Sequence, residues 1–152
     1  MAITTLEARG RILDDLAAAA DHLALGVACL GEAFELGDVG TADRLETELF
    51  RPVQKAYGRA KRTHAQFAAR CGLAGREFES PSPGVSSQGV KSFVERAVAA
   101  SAEADRAIAE LQDSMLPIES GDAELRTGLS EVRELLDEVP TNARQFLRTL
   151  GR

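Results

Sequence analysis

Tryptophan is absent from this chain, tyrosine occurs once, and aromatic residues make up 5% of its 152 positions. A β sandwich fills its core with aromatic and β-branched side chains, so this scarcity, beside 44% hydrophobic residues rich in Ala, points to close-packed helices. Cysteine is nearly as scarce. Cys29 and Cys71 lack metal-site spacing, and counting from the turn between their helices at about 1.5 Å per residue puts them roughly 30 Å apart, beyond disulfide reach. They read as buried thiols.

Catalytic signatures are missing too. There is no Gly-rich phosphate loop, Gly-x-Ser-x-Gly or Cys-x-x-Cys. A di-iron site in a helical bundle needs Glu-x-x-His pairs. Here Ala19 precedes His22 by three residues and Lys61 precedes His64. The two imidazoles are also expected more than about 10 Å apart along the helices, too far to share a metal. No metal, cofactor or enzymatic activity is expected. No run approaches the roughly 20 apolar residues of a membrane span, and "MAITTLEARGRILDD" lacks the build of a signal peptide, so a cytoplasmic setting without membrane contact is the expectation.

What is present is periodicity. The length suits one domain, residues 1–152, able to bury a core without covalent staples. Leu6, Leu13, Leu16, Ala20, Leu23, Val27, Leu30 and Phe34 recur in steps of three and four after one gap at Arg9, predicting a helix over about 4–37. "ELGDVGTADRLE" ends it, with Gly37 and Gly40 permitting a left-handed exit and Thr41 a plausible cap for the next helix. That second helix, about 41–71, buries Leu45, Leu49, Val53, Ala56, Ala60, His64, Phe67 and Cys71. Pro52 inside it predicts a kink or restart near 48–52, because its ring crowds the Glu48 carbonyl and supplies no N–H.

"GLAGREFESPSPGVSSQG", residues 72–89, has no periodicity and reads as one long loop, either mobile or crossing along the molecule. A third helix is predicted over about 88–115 with Pro117 as its stop. A fourth, about 121–150, begins at Ser120 or Asp122 and is interrupted at Pro140, where Thr141 could cap a restart. The expected fold is all-α, an elongated antiparallel four-helix bundle.

Charge is distributed unevenly. The net charge is −6, yet residues 49–76 hold seven basic side chains and no acidic one, leaving a net −13 elsewhere. Arg outnumbers Lys fifteen to three, which with the Ala content makes a GC-rich, bacterial coding sequence the expectation. Helical periodicity puts Arg51, Lys55, Arg59 and Arg62 within about 80° of one another and away from the apolar stripe, a basic ridge. Glu124, Glu131, Glu134 and Glu138, with Asp137, form an acidic ridge on the fourth helix. Both ridges read as outward-facing, so they would meet only between molecules or remain solvated. An acidic chain with few aromatics near its basic stretch is a poor match for nucleic acid.

Two binding readings follow. In the first, a non-enzymatic scaffold or adaptor associates through helix faces with a protein partner or a second copy of itself. It would use the two ridges and a second apolar side of the first helix, His22, Leu25, Cys29 and Leu36; that side is otherwise enclosed by the loop or a neighbouring helix. In the alternative, a small phosphate-type anion binds Arg51, Lys55, Arg59 and Arg62, with Tyr57 and His64 lining a pocket opened at Pro52 and Gly58 giving it room.

Overall fold

Thr4 opens the first helix with a reciprocal pair of bonds. Its hydroxyl accepts the Glu7 N–H at 3.1 Å and the Glu7 carboxylate accepts the Thr4 N–H at 3.4 Å, satisfying two donors that no helical carbonyl reaches. In the computed structural model, which describes residues 3–85 and 89–150, the chain is all-helical, with no strand among those residues. Its elements are α1 (Thr5–Leu36), α2 (Val39–Leu45), a π-helical turn (Glu46–Phe50), α3 (Arg51–Cys71), α4 (Gly89–Asp113), α5 (Leu116–Glu119), α6 (Ala123–Leu136) and α7 (Val139–Leu150). The sequence boundaries hold to within two or three residues for most of these. The start assigned to the third helix at 88, and loop positions 86–88, lie outside the described residues.

One contiguous apolar core draws on all of these segments, with Leu16, Leu23, Leu49, Phe67, Phe93, Ile108, Leu129 and Phe146 at its centre. α1 packs most extensively on α4 and then on α3; α3 packs on α6, and α4 meets α6 and α7. The first helix is therefore flanked on two sides, which explains its apolarity. It has the length of a membrane span and an 18-residue stretch of mean hydropathy 1.3, against the expectation that no run comes close; 56% of that stretch is buried inside the molecule.

The turns differ from the sequence reading in their chemistry. Asp38, not Thr41, caps α2: its carboxylate accepts the Thr41 N–H at 2.8 Å. Gly37 is extended (φ −80°, ψ 157°) and Gly40 lies inside α2, so neither uses the left-handed freedom expected of it. That freedom is used at Gly72 (φ 68°), where α3 ends and the Leu73 N–H reaches back to the Ala68 carbonyl at 2.9 Å. Of the two caps considered for the fourth helix, Asp122 serves, accepting the Leu125 N–H at 2.8 Å. Thr141 caps nothing; α7 restarts two residues earlier, at Val139, and Thr141 instead accepts a bond from Arg144.

At Pro52 the expected kink or restart is replaced by a change of helix type. The turn ahead of it widens so that the Arg51 N–H bonds the Glu46 carbonyl, and the rod from Val39 to Cys71 continues without a break. The Glu48 carbonyl, which proline leaves without a backbone donor, accepts the Asn142 side chain from α7 at 3.0 Å.

Residues 73–85 form no helix and lie across α1 as a strap. Arg76 clasps the Asp21 carboxylate through two bonds of 2.9 Å, Phe78 sits edge-on to His64, and the Pro83 carbonyl accepts the Arg96 guanidinium of α4. Of the two routes considered for the loop, this is the crossing one.

Candidate functional site: the face shared by α3 and α6

The basic and acidic ridges meet inside one molecule, contrary to the sequence expectation. Arg59 Nε donates to Glu131 Oε2 at 2.5 Å, and Arg70 binds Asp122 at 2.7 and 2.9 Å and Glu124 at 2.9 Å. The wheel treated each ridge as pointing away from its own core. It overlooked that flanking positions on adjacent helices converge at their seam, and that a guanidinium reaches well beyond its Cβ. The close approach of the helices is set by Gly128, where an added methyl would overlap the Thr63 side chain. Thr63 is itself held by donating its hydroxyl to the Arg59 carbonyl at 2.8 Å.

Only the Arg59 end of these pairs is sheltered; Arg70, Asp122 and Glu124 are partly to largely exposed, as in ordinary surface contacts. The Arg59 side chain is 18% exposed, so its charge is screened less than that of a solvent-facing arginine. At Asp122 the hydrogen bond from Arg70 is the main cause holding the carboxyl below its usual range. The same bond raises Arg70 further above its already high value.

Other members of the ridges stay outside the seam. Lys55, Arg62, Glu134 and Glu138 are exposed and make no ion pair among the described residues, while Arg51 is 4.0 Å from Glu46. Lys55, Arg59, Arg62, Glu131 and Leu135 border a shallow open groove of about 380 Å³ that Gly58 helps to form. Helical periodicity places Glu131, Glu134 and Glu138 on one side of α6 and the turn after it, within about 60°. The face thus carries a basic rim from α3 and an acidic rim from α6.

The remaining residues of the anion pocket are elsewhere. Tyr57 turns towards α1 and the strap, where Lys61 lies 4.1 Å above its ring; burial chiefly raises its phenol, with Asp21 adding to the shift and Arg76 opposing it. His64 is 3% exposed, with its Nδ1 buried and unpartnered. Its pKa is lowered by burial and by Arg76, against smaller opposing effects of the Leu13 backbone and Asp14. Neither Tyr57 nor His64 borders the groove that Lys55, Arg59 and Arg62 share.

The apolar patch on α1 is largely covered. Cys29 is fully buried, and burial pushes its thiol up; His22 and Leu25 are half-buried, and Leu36 is 41% exposed. Enclosure, the alternative considered from sequence, describes most of this surface. Contacts with α3, α4 and the strap use sides of α1 that a wheel of one helix shows as free.

One feature of the surface had no clear sequence signal. Where the chain breaks between α6 and α7, a cleft of about 530 Å³ opens against α4, bordered by Val98, Ser101, Asp105, Arg133, Glu134 and Pro140. Arg133 closes one side by bonding Asp105 at 3.0 Å and Gln112 at 2.9 Å. Pro140 indicated an interruption, but the cleft depends on which helix lies opposite. Among the described residues there is no group of three or more His, Cys, Asp or Glu arranged to hold a metal ion. Comparison with protein-family models, curated proteins and solved structures finds no match to this chain.

Proposed function

We propose that this chain is a single-domain, elongated antiparallel four-helix bundle that serves as a scaffold by binding a second copy of itself through the α3–α6 face. The bundle reading is supported by cross-helix contacts that run in opposite sequence order. Arg59 pairs with Glu131 and Arg70 with Asp122, so the contacts ascend along α3 as they descend along α6. One observation carries the functional reading: exposed Lys55 and Arg62 stand on one rim of this face and exposed Glu134 and Glu138 on the other, all outside the ion pairs that close the seam.

Symmetry makes such a face self-complementary in one orientation. A two-fold axis parallel to the helices lays the basic rim of each copy on the acidic rim of the other; an axis across the helices would set like on like. The dimer is therefore a parallel one. Its affinity should fall with salt, since the screening length shortens from about 30 Å at 0.01 M to about 10 Å at 0.1 M.

Charge reversal provides the test. Sedimentation at low salt should give a dimer for the parent and monomers for Lys55→Glu/Arg62→Glu and for Glu134→Arg/Glu138→Arg. An equimolar mixture of the two variants should recover a dimer, because an all-acidic face then meets an all-basic one. A parent that remains monomeric at high concentration and low salt, or variants that associate as the parent does, would overturn the proposal.

A further inference from the structure

His64 brings a titratable ring to the place where α1, α3 and the strap meet. The strap covers it directly: the Phe78 ring is 5.5 Å from the imidazole at 90°, and the Arg76 guanidinium stacks 4.7 Å from the centre of the same Phe78 ring. Arg76 is in turn anchored to Asp21 on α1. One short chain of contacts, His64 to Phe78 to Arg76 to Asp21, thus fastens the strap to two helices.

A neutral imidazole fits this site and a charged one does not. With 3% exposure and Nδ1 without a partner, a proton added there would be an uncompensated donor in a nearly dry setting. The charged groups facing the ring are Asp14 from α1 and Arg76 from the strap. Tyr57, on the same helix as His64, lies in the field of the Asp21–Arg76 pair, with Lys61 over its ring. Asp14 would welcome a proton on His64; Arg76, already committed to Asp21, repels it, as burial does more strongly.

We propose that His64 and the strap form an acid-sensitive latch, in which protonation of His64 expels Phe78 and Arg76 and releases residues 73–85 from α1. The transition belongs below the ordinary histidine value of 6.5, because the closed latch favours the neutral ring. At pH 7.5 the strap is closed. As pH falls the ring binds a proton only in the open form, so opening and proton uptake are one event.

Release would uncover the side of α1 bearing Asp21 and Ala24, where the strap now encloses a groove of about 470 Å³. The α3–α6 face is built from other residues, so the latch does not depend on self-association. Its consequence is a surface available only in acid.

Nuclear magnetic resonance on the full chain tests the latch at pH 7.5 and 5.0. The expected result is loss of the His64–Phe78 Overhauser contact at pH 5.0, with order parameters of residues 73–84 falling from about 0.85 to below about 0.6. The midpoint should coincide with titration of His64, and His64→Leu should keep the strap ordered at both pH values. His22→Gln should behave as the parent. A strap equally ordered at both pH values, or one that loosens in His64→Leu as in the parent, would overturn the proposal. If the leucine variant does not fold, the parent decides: loosening more than one pH unit from the His64 midpoint counts against the latch, and coincidence supports it.

Discussion

Asn142 does for Glu48 what proline withholds, and the effect can be isolated at the scale of one bond. Removing the amide with Asn142→Leu leaves the Glu48 carbonyl without that donor, at an expected cost of about 1–3 kcal/mol by urea denaturation. Pro52→Ala restores a backbone N–H, so the double variant should lose less than the sum of the single changes. A strictly additive cycle would show that the two residues act independently. Pro52 and the crowding of Glu48 were legible in the sequence. Asn142 was not, because it lies 94 positions away and no local pattern marks it as the donor.

At the scale of elements, the spacing between α3 and α6 depends on Gly128. Its Cβ position is occupied by Thr63, so Gly128→Ala should cost about 1–3 kcal/mol through overpacking, reduced by up to about 1 kcal/mol from the better helix propensity of alanine. Adding Thr63→Ala should recover much of the loss, read as a shift in denaturation midpoint; no recovery would place the strain elsewhere. The same approach brings Arg59 to Glu131, so the variant should also weaken that pair. Periodicity located both helices and both ridges from sequence. It could not say which helices are neighbours, and so it left the ridges apart. It also grouped Tyr57 and His64 with the basic residues around a pocket opened at Pro52, whereas these two side chains lie towards α1 and the strap.

Across the whole molecule, the titrating groups set how stability follows pH. Asp122 is held below its ordinary value of 3.8, so its contribution is complete above that value and is lost as pH falls through the folded value. His64 is held below 6.5: the unfolded chain takes up its proton first, and stability declines as pH drops from 6.5 towards the folded value. Asp15 acts oppositely. Burial raises it above 3.8, so it favours the fold in acid and loses that contribution as pH rises through the raised value. Thermal unfolding should therefore reach a plateau above about pH 6.5, fall on the acid side, and fall again in alkali where the raised Cys29 and Tyr57 lose their protons. Asp15→Asn should raise the melting temperature at pH 7, and His64→Leu should flatten the first part of the acid decline; a stability maximum below pH 5 would contradict this ordering.

The all-helical character, the positions of the long helices, the interruption at Pro140 and the segregation of charge follow from the sequence itself, because each rests on spacing within a few residues. Tertiary structure decided which faces are free. α1 looked exposed on a second side until α3, α4 and the strap enclosed it, and opposed ridges proved to share a seam through Arg59 and Glu131. The physical reason is the same in both cases: periodicity fixes the angle of a side chain about its own helix axis, whereas burial and pairing depend on what another part of the chain brings to that angle.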